Sequence, residues 1–141
     1  MTWEKILLVT RRTRLEELID RFNTRAQAKF WLERAGGDFG ALVEEHDVYQ
    51  RSLAETRRAL EVGLKLHVLD RGLLPTCLVA KSDLLVTLGP DGLVANTAKY
   101  AAGQPILGVN PDPARIDGVL LPFTPATLPA QHRNASVMSQ P

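Results

Sequence analysis

Short apolar runs separated by capped, amphipathic stretches predict an α/β fold with a mostly parallel sheet. KILLVT (5–10) is a continuous apolar run, as expected of a strand covered on both faces. LKLHVLD (64–70), DLLVTLG (83–89) and QPILGVNP (104–111) are further strand candidates. The stretches between them carry helical spacing and N-cap residues, and strands joined through helices lie parallel. The order strand, helices, strand, strand, helix, strand fits a three-layer, flavodoxin- or Rossmann-like sheet.

Each helix has its own signals. Thr13-Arg14-Leu15-Glu16 fits a capping box, with Leu15, Leu18, Ile19 and Phe22 at helical spacing behind it. Thr24 and Gln27 repeat the pattern, and Ala26, Phe30, Trp31 and Ala35 supply the apolar face expected of the second helix. Gly36-Gly37 stops that helix through a left-handed turn. Asp38 then caps a long, mostly polar helix reaching roughly to Val62, whose apolar positions include Leu42, Val43, Tyr49, Leu53 and Leu60. DGLVANTAKYA reads as a helix with Leu93, Val94, Ala98 and Ala101 on one side, and GVLLPF (118–123) is one more apolar run. These elements form one domain over residues 1–123. From Thr124 the chain carries prolines, almost no charge and no apolar periodicity, and reads as a disordered tail over 124–141.

Composition narrows the function. With 141 residues, 45% hydrophobic and 23% charged, the chain has the make-up of a soluble domain able to bury a core. A net charge of +1 gives no reason to expect nucleic acid or an anionic membrane as partner. No apolar run approaches the ~18–20 residues of a membrane span, and the N-terminus lacks the features of a signal peptide. Asn134-Ala135-Ser136 matches a glycosylation sequon, which means little without a signal peptide. The single cysteine, Cys77, has no disulfide partner and reads as a small core residue. A cytoplasmic protein is the expectation.

Two loops carry chemistry. LGPDG (88–92) follows a strand and opens a helix, at the sheet edge where ligands of α/β proteins bind. Gly89 and Gly92 permit a sharp turn and close approach, and Asp91 falls near the positive end of the helix dipole. A turn with proline at the first helical position and an acid in the first turn explains the same residues, so both readings stand. GVNPDPARIDG (108–118) leaves the next strand with Asn110, Asp112, Arg115 and Asp117. That set can hydrogen-bond a ribose or a base edge, and it is also strong turn chemistry. By contrast, GGDFG (36–40) lies between two helices and is a helix stop followed by an N-cap. His46, His67 and His132 show no metal-ligand spacing with Cys77 or each other, so no metal site is expected. Arg11, Arg12 and Arg14 read as a solvated basic corner rather than a phosphate contact.

The strand, LGPDG, helix, PILGVN order resembles the N-terminal domain of the ATP-dependent NAD kinases, whose first motif is GGDGT after a strand and whose second is an apolar strand ending in G-[IV]-N. The likeness covers about residues 5–123. It implies transfer of the ATP γ-phosphate to the 2′-hydroxyl of NAD, with ATP, NAD and Mg²⁺ as the small molecules bound. Asp91 would be the motif aspartate acting on the NAD ribose hydroxyl, Gly89 and Gly92 its glycines, and Asn110 a nucleotide contact. Pro90 stands where the family has a glycine, removing one backbone N–H, and Leu93 replaces its threonine. The family completes its NAD site with a C-terminal β-rich domain carrying an Asn-Glu motif, so the resemblance implies little activity for residues 1–141 alone. A non-catalytic nucleotide-binding or regulatory module on the same fold is the alternative. The phosphoryl donor, the preference between NAD and NADH and the oligomeric state, homo-oligomer included, stay open.

Overall fold

The computed structural model describes residues 3–128. The chain divides into two compact units, one comprising the residues up to Arg11 and from Ser52 onward, the other Arg12–Arg51.

The first unit holds a four-stranded parallel sheet made of β1 (Lys5–Thr10), β2 (Lys65–Asp70), β3 (Asp83–Leu88) and β4 (Ile106–Val109). The strand order is β2-β1-β3-β4, which gives an α/β fold with the order of the first four strands of flavodoxin-like sheets. Central β1 pairs Leu8 with Val68 of β2 and with Val86 of β3. Residues 6–10 and all of β3 are buried, the result of continuous apolar sequence between two neighbours. In β2 burial alternates instead, and Lys65 and His67 face outward. Val9, Leu69, Leu74 and Leu93 form a core cluster over the carboxyl half of the sheet, with Cys77 packed against it.

The amino edge of the sheet is closed by hydrogen bonds. Asp83, buried, accepts from the Ala80 amide at 2.9 Å and meets the Lys5 ammonium at 3.8 Å. The Gln104 side chain donates to the carbonyls of Ala80 and Asp83 at 2.9 and 3.0 Å.

The other unit carries α1 (Arg14–Phe22), α2 (Arg25–Arg34) and most of α3 (Phe39–Ala59), which continues into the first unit. The expected capping box is present. Thr13 Oγ1 accepts from the Glu16 amide, and Glu16 Oε1 accepts from the Thr13 amide at 3.0 Å. Thr13 Oγ1 also lies 2.8 Å from His46 Nδ1. Arg14 donates twice to the Glu45 carboxylate of α3 (3.1 and 2.6 Å), and this pair raises the Arg14 pKa further above its ordinary range. At the end of α2 the Gly37 amide reaches the Leu32 carbonyl and the Gly36 amide that of Glu33, a Schellman turn with Gly36 at φ +86°. Asp38 caps α3 by accepting from the Ala41 amide at 3.2 Å.

Several expectations need correction. Helix α2 buries Ala28 toward Leu15 and Phe39 and packs Leu32 there, whereas Phe30 and Trp31 are about half exposed. The outer aromatics are instead arranged among themselves: Trp31 stacks on Phe22 and meets Phe30 edge-on, with Arg21 over Phe22 and Arg34 over Phe30. Helix α3 ends at Ala59 rather than near Val62. The stretch after β2 is a 3₁₀ helix, Arg71–Thr76, N-capped by Asp70. The apolar run GVLLPF, given no element from sequence, forms a turn with a single bridge from Phe123 to Val109. The expected tail falls mostly outside the described residues, as do Asn134-Ala135-Ser136 and His132. Its first residues, 124–128, form a turn in which the Thr124 carbonyl accepts from the Thr127 and Leu128 amides, and Leu128 is buried.

Candidate functional site

In a parallel sheet all carboxyl ends open at one edge. Here the chain runs from β1 to β2 on one side and then crosses to β3 on the other, so the topological switch lies between β1 and β3. Ligands of open α/β sheets bind in the crevice outside such a point. The residues at it are Arg11, directly after β1, and Gly89-Pro90-Asp91-Gly92, between β3 and α4 (Asp91–Ala98).

Gly89 is buried beside the start of α4. A Cβ there would stand 2.8 Å from Leu93 Cδ2 and 3.7 Å from Arg11 Cδ, so any larger residue would force the Leu93 side chain to shift. Its amide donates to the Val109 carbonyl at 3.3 Å and extends the β3–β4 ladder by one bond. Pro90 is the N-cap of α4 rather than its first helical residue, and makes no side-chain capping bond. Gly92 has open space where a Cβ would be.

Asp91, half-buried at the first position of α4, turns its carboxylate toward the loop after β4. Oδ1 accepts from the Leu120 amide at 3.0 Å and Oδ2 from the Val119 amide at 3.2 Å. The segment so held returns directly over β4: a Cβ on Gly108 would run into the Leu120 carbonyl oxygen, and Val94 Cγ2 would be 3.2 Å away. Leu121 is buried, whereas Val119 is 95% exposed and Leu120 48%.

Asn110, directly after β4, is buried, and its amide group is used within its own loop. Nδ2 donates to the Ile116 carbonyl at 2.8 Å and Oδ1 accepts from the Asp112 amide at 3.0 Å. Asp112 in turn receives Arg115 Nη1 at 2.9 Å, while the Ser52 hydroxyl donates to the Pro111 carbonyl. This loop is therefore folded by the residues that sequence offered as ligand contacts.

Gly89, Asp91 and Gly92 thus share one turn at the carboxyl edge, with Asn110 at the end of the neighbouring strand. Two residues sequence reading missed are Val119 and Leu120, noted only as part of an apolar run; the glycine before them was the available signal for a turn. The three arginines of the supposed basic corner separate. Arg12 pairs with Asp20 at 2.6 Å, Arg14 with Glu45, and Arg11 lies beside Gly89. Among the described residues no group of three or more His, Cys, Asp or Glu is arranged to hold a metal, and no helix is long and apolar enough to cross a membrane.

No protein-family model matches this chain, and no curated protein matches it significantly.

Proposed function

We propose that the sheet-bearing unit binds a nucleotide at its carboxyl edge and serves a phosphotransferase of the NAD kinase type, moving the γ-phosphate of ATP to the 2′-hydroxyl of NAD. The observation that supports this reading is the position of Asp91: a carboxylate on the turn after β3, next to the switch point, at the first position of α4. In the reaction the ribose hydroxyl oxygen attacks the γ-phosphorus, the bond to the β,γ-bridging oxygen breaks, ADP leaves, and Asp91 receives the hydroxyl proton. Arg11, whose Cδ would lie 3.7 Å from a Cβ on Gly89, borders the turn and suits a phosphate group at the crevice. Mg²⁺ belongs to this scheme as part of the ATP complex. The Asp91 carboxylate faces two amide donors, not a set of oxygen ligands, so the donor set does not fit a resident metal and no step passes through one. A cytoplasmic setting, where both nucleotides are found, belongs to the same proposal.

A second reading, a nucleotide-binding or regulatory module without turnover, is favoured by a specific observation. Both Asp91 oxygens already accept amides and the Asn110 amide is internally satisfied. One experiment separates the two. The chain is incubated with NAD and ATP·Mg²⁺, NADP is measured, and binding of each nucleotide is followed by calorimetry. Turnover that falls about 10²-fold or more in Asp91→Asn supports the kinase. Binding without NADP supports the module when NADP still fails to form after the β-rich C-terminal domain that the resemblance calls for is supplied, and absence of binding by either nucleotide removes both.

A further inference from the structure

We infer that the turn Gly118–Leu121 is a latch on Asp91, and that a bound nucleotide exchanges places with it. This inference rests on the nucleotide reading of the site. Two consecutive amides, Val119 and Leu120, donate to the two oxygens of one carboxylate, so the turn occupies the group that a ribose hydroxyl would need. Each oxygen still has a lone pair, but the turn stands directly beside it.

The latch is built to open. Its two bonds are exposed and 3.0–3.2 Å long, and water replaces exposed hydrogen bonds at small net cost. The bond closing the turn itself, from the Leu121 amide to the Gly118 carbonyl, is 3.3 Å. Both flanks are firm by comparison. Leu121 is buried, the Asn110 amide donates to the Phe123 carbonyl while the Phe123 amide donates to the Gly108 carbonyl, and the Asn110 side chain fixes Ile116. Movement is thereby confined to the tip. That tip carries Val119 and Leu120 outward, an apolar pair in water beside a carboxylate. Swinging off Asp91 frees the carboxylate for a ligand hydroxyl and lays the same pair against the ligand's ring, where its burial is favourable. The latched state is self-inhibited: apparent affinity for the nucleotide is reduced by the fraction of molecules in which the turn is closed.

The test uses the full chain labelled with ¹⁵N. The Val119 and Leu120 amide proton shifts are followed against NAD and ATP separately, in the native protein and in Leu120→Pro, which deletes one latch donor. The latch predicts that both amides move upfield as a nucleotide saturates the protein, and that Leu120→Pro binds the same nucleotide several-fold more tightly. If a nucleotide shifts Gly89 and Gly92 while Val119 and Leu120 stay in place, the turn is a fixed strut; the latch is then wrong and the nucleotide site stands. If neither nucleotide moves any amide at the carboxyl edge, the functional reading falls and the latch with it. Should Leu120→Pro misfold, the native-protein shifts decide alone.

Discussion

Gly108 illustrates how a single missing side chain shapes the site. The 118–121 turn lies against β4 at this position, where a methyl group would meet the Leu120 carbonyl oxygen, a backbone atom that cannot rotate away. Gly108→Ala is expected to cost about 1–3 kcal/mol by overpacking, read as a lower urea midpoint at unchanged slope. Asp91 behaves differently. Its carboxylate bonds are exposed, and Val119 and Leu120 can bond water in its absence, so Asp91→Ala should lower stability by no more than about 1–1.5 kcal/mol while changing the Val119 and Leu120 amide shifts strongly. A large loss of global stability in Asp91→Ala would mean that the carboxylate is a structural strut first. Nothing in the sequence betrays this contact. It joins residues 28 and 29 positions apart through backbone amides, which every residue but proline possesses.

At the scale of helices, local chemistry was legible and facing was not. The Thr13 box, the Thr24 and Asp38 caps and the Gly36 stop follow from residues within one turn of each other, and the structure has all four. The buried face of α2 depends on what packs against it. Phe30 and Trp31 are the larger apolar residues, yet it is Ala28 that is buried against Leu15 and Phe39, with Leu32 packed beside it. The consequence is an inversion of the usual expectation from size. Phe30→Ser should change stability by less than about 0.5 kcal/mol, as a half-exposed substitution, whereas Ala28→Leu should cost about 1–3 kcal/mol by crowding the cluster. Thermal melts of the two variants side by side check this, and equal losses would place Phe30 in a packed environment. Thr13→Ala removes an N-cap and the contact with His46 together, for an expected cost of about 1–2 kcal/mol.

Over the whole chain, the parallel sheet was readable because burial on both faces leaves a continuous apolar signature, clearest in β1 and β3. An apolar run is not sufficient for a strand, as GVLLPF shows by serving a turn over β4, and the signature says little about β2, where burial alternates. Strand order therefore has a measurable consequence. The amides of β1 and β3 bond within a ladder that has neighbours on both sides, and opening them requires disruption of adjacent strands. Strand β2 has one strand neighbour among the described residues and two outward-facing polar side chains, so its amides open by local fraying. Native-state hydrogen exchange should accordingly find the slowest amides of the sheet in Ile6–Val9 and Leu84–Leu88, near the global unfolding limit, and faster exchange throughout Lys65–Asp70. Protection in β2 equal to that in β1 would require a further strand on its outer edge and would revise the order β2-β1-β3-β4 as the complete sheet.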